Sequence, residues 1–110
     1  MNYIELIRDF DTGPIADLGT DKVVNELFNG SFRRIVEVRL QNNAVLAKHK
    51  ADVPITVFCI SGAGIFLAGP HLEDSQLMRP GTLITLEAGV EHEVVADPAI
   101  DIIVTRFKPS

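Results

Sequence analysis

An all-β fold, a sandwich or a barrel, is predicted by three features of the sequence. The helical period is nearly absent, and short runs of alternating apolar and polar residues dominate. Turn signals built from Gly, Pro and Asn interrupt these runs at short, regular spacing. The chain has 110 residues, which leaves room for one domain and no second. About nine or ten short strands fit this pattern.

Taken in order, Ile4 to Ile7 reads as an edge strand, and Thr12-Gly13-Pro14 breaks the chain after it. The role of residues 1–20 as edge strand, lid or dimer arm stays open at this level. Asp21 to Phe28 fits strand or helix on pattern alone. Asn29-Gly30 after it signals a hairpin, because both central positions of a type I′ turn need positive φ. Phe32 to Leu40 then alternates, with Val36, Val38 and Leu40 on one face and Glu37 and Arg39 on the other. Glu37 and Arg39 read as a cross-strand pair on an outward face. Gln41-Asn42-Asn43 ends the run, since Asn tolerates left-handed backbone. Separate strands are expected at Ile55–Ile60, Ile65–Ala68, Ser75–Met78, Thr82–Leu86, His92–Ala96 and Ile100–Phe107.

Composition narrows the function. A net charge of −5 argues against a nucleic-acid partner, and the basic cluster Arg33-Arg34 with Arg39 is too sparse to grip a phosphate backbone. Hydrophobic residues make up 46% of the chain, a rich share that points to apolar surface buried between subunits. The single cysteine, Cys59, excludes a disulfide framework and a multi-cysteine zinc site. Acidic residues stand near the N-terminus where a signal peptide needs basic ones, and no apolar run reaches the length of a membrane span. A cytoplasmic protein without a membrane partner is the expectation.

Two stretches resemble the paired motifs of the cupin superfamily. In the second motif, Gly81, Gly89 and His92 keep the family spacing, while Glu87 stands for the family's Pro and Ala96 for its Asn. In the first, His49 and the closing Gly62 are kept. Asn43 stands for the leading glycine, Ala51 for the second histidine and Ile55 for the glutamate. The resemblance spans Arg34 to Phe107 and implies a cupin-type double-stranded β-helix, or jelly-roll, barrel. It implies residues 31–110 as the barrel, with residues 1–30 as an extension that completes the barrel or a dimer interface. It also implies that the two motifs lie on neighbouring strands, with their histidines converging in the barrel mouth. Small cupins commonly form homodimers, in agreement with the apolar content.

The implied pocket is lined by His49, Ala51, Ile55, Val57, Cys59 and His92, which strand alternation turns inward. Lys50, Thr56, Phe58 and Ile60 turn outward, and the apolar Phe58 and Ile60 call for a covering subunit or strand. Two readings of the histidines stay open. They are convergent polar groups in an apolar pocket for a small organic molecule, or they anchor one weakly held divalent transition metal in an enzyme of dioxygenase or isomerase type. A metallocupin supplies three His and one Glu, whereas His49 and His92 supply two ligands, leaving the rest to water or substrate. Cys59 reads as a small core residue ahead of a soft ligand. Lys48 and Lys50 flank His49 as a solvated rim that can meet an anionic substrate, and His71 sits in a solvated turn. Gly62-Ala63-Gly64 is a strand turn with no phosphate-loop signature, and Ser61 lacks a base to activate it. A regulatory or storage role is a third hypothesis, though no helix-turn-helix segment accompanies it. No catalytic residue is assigned, and ligand and metal identity lie beyond the sequence.

Overall fold

The computed structural model describes residues 3–108. It contains β1 (Lys22–Asn29), β2 (Arg33–Leu40), β3 (Val45–His49), β4 (Ile55–Ala68), β5 (Asp74–Met78), β6 (Leu83–Leu86) and β7 (His92–Phe107). All seven join one antiparallel sheet, and no helix occurs among the described residues. The count is lower than the sequence suggests because two pairs of expected strands fuse and Ile4–Ile7 forms none, while β3 is a strand the sequence pattern did not mark. Ile55–Ile60 and Ile65–Ala68 become the single 14-residue β4. His92–Ala96 and Ile100–Phe107 become the 16-residue β7.

These two long strands pair with each other from Ile55↔Arg106 to Ala68↔His92, with register shifts at Cys59/Ser61 and Gly62/Gly64. The shifts are bulges, which bend a strand without ending it. Gly62 has φ 76°, and a Cβ there would strike the Ala99 carbonyl. A Cβ on Gly64 would lie 2.5 Å from the Val95 carbonyl oxygen. Both positions therefore need glycine for close backbone approach, and Gly62 needs it for its conformation as well. The turn expected at Gly62 is instead a bend within one strand.

The bend divides the sheet into two arms. In the first, the order is β6, the N-terminal half of β4, the C-terminal half of β7, β2 and β1. In the second, it is β5, the C-terminal half of β4, the N-terminal half of β7 and β3. One core joins them, with Val38, Val57 and Ile102 from the first arm and Phe66, Val94 and Met78 from the second.

The closed barrel expected from the sequence is corrected. The ladder is open, running β1-β2-β7-β4-β5, with β3 added on β7 and β6 on β4. The arms meet through packed side chains over the shared core, and no edge-to-edge ladder joins β1 to β5. Exposed Lys22, Asn25 and Glu26 along β1 discourage further pairing there.

The hairpin before β2 also departs from expectation. The loop between β1 and β2 is three residues long, Gly30 to Phe32, and neither Asn29 nor Gly30 has positive φ. A Cβ on Gly30 would lie 2.6 Å from the Phe28 ring, which would have to shift to admit it. The left-handed pair is found one turn later, at Asn42 (φ 58°) and Asn43 (φ 56°) between β2 and β3.

Ile4 to Ile7 is exposed and lies outside any strand, as do all of residues 3–21. Part of this segment covers the outer face of the first arm. Gln41 accepts a hydrogen bond from the Leu18 amide (3.0 Å) and donates to the Thr20 carbonyl (2.7 Å). Asp11, Gly13, Ile15 and Ala16 close a cavity of about 30 Å³ over Arg39, Ser61 and Asp101. Glu37 and Arg39 are accordingly not an outward cross-strand pair. Glu37 is only 6% exposed, and Arg39 Nε lies between Glu37 Oε2 (3.3 Å) and the buried Asp101 Oδ2 (3.1 Å). Burial, then the neighbouring Glu37, push the Asp101 carboxyl up to about 7 despite Arg39.

Candidate functional site

The site begins where β3 ends and β7 starts. His49 closes β3, His92 opens β7, and the two face each other across the ladder. Gly89 (φ 83°) makes the turn into His92, and its amide donates to the Ala51 carbonyl at 2.8 Å. That bond ties the segment after one histidine to the turn before the other. The ring centroids lie 4.2 Å apart at an interplanar angle of 61°, an edge-on contact. On its other side His92 stacks parallel to Phe66, 5.7 Å away. His92 is thus buried, while His49 stays exposed.

Both imidazoles are held in one tautomer. His49 Nδ1 lies 2.8 Å from the Ala47 carbonyl oxygen, and His92 Nδ1 lies 3.0 Å from that of Val90. A carbonyl only accepts, so each Nδ1 carries the proton, and each neutral ring keeps its Nε2 lone pair. Among the described residues no protein donor engages either Nε2. Burial holds His92 below its ordinary value, the bond to Val90 opposes this, and the nearby His49 adds to the lowering.

The pair lines a cavity of about 200 Å³ between the two arms. Its apolar wall includes Val36, Val38, Ile102 and Val104 from the first arm and Phe66 and Val94 from the second. Of the residues singled out in the sequence, His49, Ala51, Ile55, Val57 and His92 lie on this wall. Cys59 does not. It is fully buried in the core, its Sγ donates to the Ser61 carbonyl at 3.4 Å, and burial raises its thiol above the ordinary range. The shared inward parity came about differently from the sequence argument. Residues 50–54 break the strand, so His49 belongs to β3 while Ile55, Val57 and Cys59 belong to β4.

Two charged lining residues, Arg34 and Arg106, escaped the sequence reading as pocket groups. Arg34 shares the parity of Val36, Val38 and Leu40 on β2, and Arg106 shares that of Ile102 and Val104 on β7. Alternation alone carried that signal, but the basic cluster around Arg34 was weighed only against nucleic acid. Lys50, expected to point outward, lines the cavity. Lys48 instead pairs with Glu91 (2.8 Å) and donates to the Pro70 carbonyl (2.6 Å).

The donor set at the cavity is short of a metal site. His49 and His92 offer two nitrogens in the tautomer that ligation uses. The described residues contain no group of three or more His, Cys, Asp or Glu placed to hold an ion. Ala51 and Ile55 occupy the cavity wall with no donor atoms, and the cationic Arg34, Lys50 and Arg106 share the cavity. A tightly held metal centre therefore does not fit these residues.

The chain is a bent, two-armed β fold with a histidine pair on the wall of the cavity between its arms. The comparisons agree on the fold. A cupin superfamily protein from Desulfitobacterium hafniense superposes with a TM-score of 0.77 at 7% identity, over 86% of this chain and 84% of that one. A conserved protein of unknown function from Streptococcus pyogenes gives 0.74 at 18% identity, over 99% of both chains. A polyketide cyclase from Streptomyces resistomycificus gives 0.70 at 15% identity, over 79% of this chain and 65% of that one. No family sequence model and no curated protein sequence matches the chain. The chain has a cupin fold, and at such identities the likeness speaks for fold alone.

Nuclear magnetic resonance of the imidazole nitrogens checks the site directly. Both histidines are expected as the Nδ1–H tautomer, with His92 titrating below 6.5. Because its folded value is lowered, the stability that His92 contributes is complete above 6.5 and is lost as the pH falls through the folded value. A protonated Nε2 in the neutral ring, or titration of His92 at or above 6.5, contradicts the geometry.

Proposed function

We propose that this chain is a small-molecule-binding protein, and that its ligand enters the cavity between the two arms. The observation that carries this reading is the cavity itself. Apolar walls supply affinity, and a few convergent polar groups supply orientation, which is the general make-up of an organic-ligand site. His92, neutral and buried against Phe66, presents an acceptor to a ligand hydroxyl or amide. His49 offers the same acceptor from the exposed side.

The competing reading is a metal-dependent enzyme anchored on His49 and His92. The fixed tautomers favour it and the missing third donor opposes it. Elemental analysis of untagged protein separates the two. Metal content near zero after dialysis against a chelator, with thermal stabilisation by organic ligands from a small-molecule collection, is the expected result. Near one equivalent of a transition metal per chain, lost in His49→Ala, overturns it in favour of the metal reading.

The partner in this proposal is a second copy of the chain in the cytoplasm, a reducing setting that suits the free thiol of Cys59. Phe58 and Leu83, neighbours across β4 and β6, are 39% and 63% exposed on the outer face. A covering subunit would remove this apolar pair from water. Sedimentation equilibrium is expected to give a dimer for the wild type and a monomer for Leu83→Glu. A monomeric wild type sinks the dimer.

A further inference from the structure

The cavity's charge is opposite to that of the protein around it. The chain has 15 acidic and 10 basic side chains. Yet the cavity is lined by three of the basic ones, Arg34, Lys50 and Arg106, and by no Asp or Glu. The two arginines are directly opposed in the β2–β7 register. Like charges placed this way repel one another, so the fold bears a cost unless an anion sits between them. Glu26, paired with Val36 in the β1–β2 register, relieves part of it by accepting from Arg34 Nε at 2.8 Å. Arg106 has no ion pair among the described residues, and neither has Lys50. Below the arginines, their own strands continue inward as Val36 and Val38 on β2 and Val104 and Ile102 on β7. The cavity wall therefore combines these cationic groups with a chiefly apolar surface.

We infer that the ligand class is a small organic acid, bound as its carboxylate, with the carboxylate on Arg34 and Arg106 and an apolar body against Val57, Phe66 and Ile102. This rests on the small-molecule reading above and deepens it. A guanidinium matches a carboxylate with two parallel hydrogen bonds, and two guanidiniums on adjacent strands supply a fork that a point charge would not. A carboxylate entering an apolar cavity needs such a partner, since an unpaired charge there is strongly disfavoured. An inorganic anion would satisfy the arginines and leave the apolar wall in water. A neutral apolar molecule would fill the wall and leave the arginines opposed. Lys50, at the end of the cavity that His49 occupies, provides for a second polar group on the ligand. The histidine acceptors suit a hydroxyl in the same region.

The test is titration calorimetry with straight-chain and aryl monocarboxylates, each beside its matched primary amide, and with inorganic phosphate. A charge-assisted hydrogen bond predicts carboxylates binding about tenfold or more tighter than their amides. In Arg106→Gln and Arg34→Gln this preference is expected to shrink towards unity. Arg79→Gln, which removes the same charge outside the cavity, is expected to keep it. Both cavity arginines sit near strand ends with little burial, and an unchanged thermal transition verifies folding of each variant. Amides that bind as well as acids overturn the carboxylate inference and leave the pocket reading standing. Phosphate that binds as tightly as the organic acids overturns the role of the apolar body. Failure of acids and amides alike overturns both readings together.

Discussion

The backbones of β4 and β7 approach so closely at Gly62 and Gly64 that no side chain fits between them. Everything else in the molecule follows from that approach. It lets two strands of 14 and 16 residues stay hydrogen-bonded through a bend, when a pairing of that length would otherwise run on as one twisted ribbon. The bend turns the two halves of the ladder into arms, and each arm buries its inner face on the other. The core therefore forms by side-chain packing between arms, and the outer strands β1 and β5 remain edges. Closure is unnecessary because the edges are short or carry polar side chains that resist further pairing.

The same geometry accounts for the pocket. The histidine pair lies on the second arm, and the opposed arginines lie at the ends of β2 and β7 on the first. Residues far apart in sequence share the cavity because β7 runs through both arms. Its own alternation places His92, Val94, Ile102, Val104 and Arg106 on the cavity wall. The polar groups inside are neutral acceptors and cations, and the acids of this acidic chain are kept elsewhere. Glu37 and Asp101 sit on the opposite face around Arg39, with the N-terminal segment over Arg39 and Asp101, and burial and the neighbouring Glu37 raise Asp101.

Local pattern made a good part of this legible in the sequence. Alternation identified β2 and the buried parity of Ile55, Val57 and Cys59. The asparagine pair identified the left-handed turn at Asn42-Asn43. Motif spacing brought His49 and His92 to one place although 43 positions separate them, and Gly89 was recognised as the turn that delivers His92. What escaped depends on long-range pairing. Gly62 reads equally as a turn or as a bend, and only the approach of β7 decides between them. Arg34 and Arg106 meet because β2 pairs with β7, a register that neither strand specifies alone. The face that carries Arg39 looked solvated because its cover comes from Asp11, Gly13, Ile15 and Ala16, which have no periodic pattern to reveal where they lie.

The dependence of the fold on the Gly62 approach is tested most directly by comparing urea unfolding of Gly62→Ala and Gly81→Ala. Both glycines have positive φ, but nothing lies within 4 Å of a Cβ at Gly81. Gly81→Ala is expected to lose about 1 kcal/mol from backbone strain alone. Gly62→Ala is expected to lose roughly 2–4 kcal/mol, because the new methyl forces β4 from β7. Equal losses in the two variants would mean that the close approach does not hold the arms together, and would contradict the account.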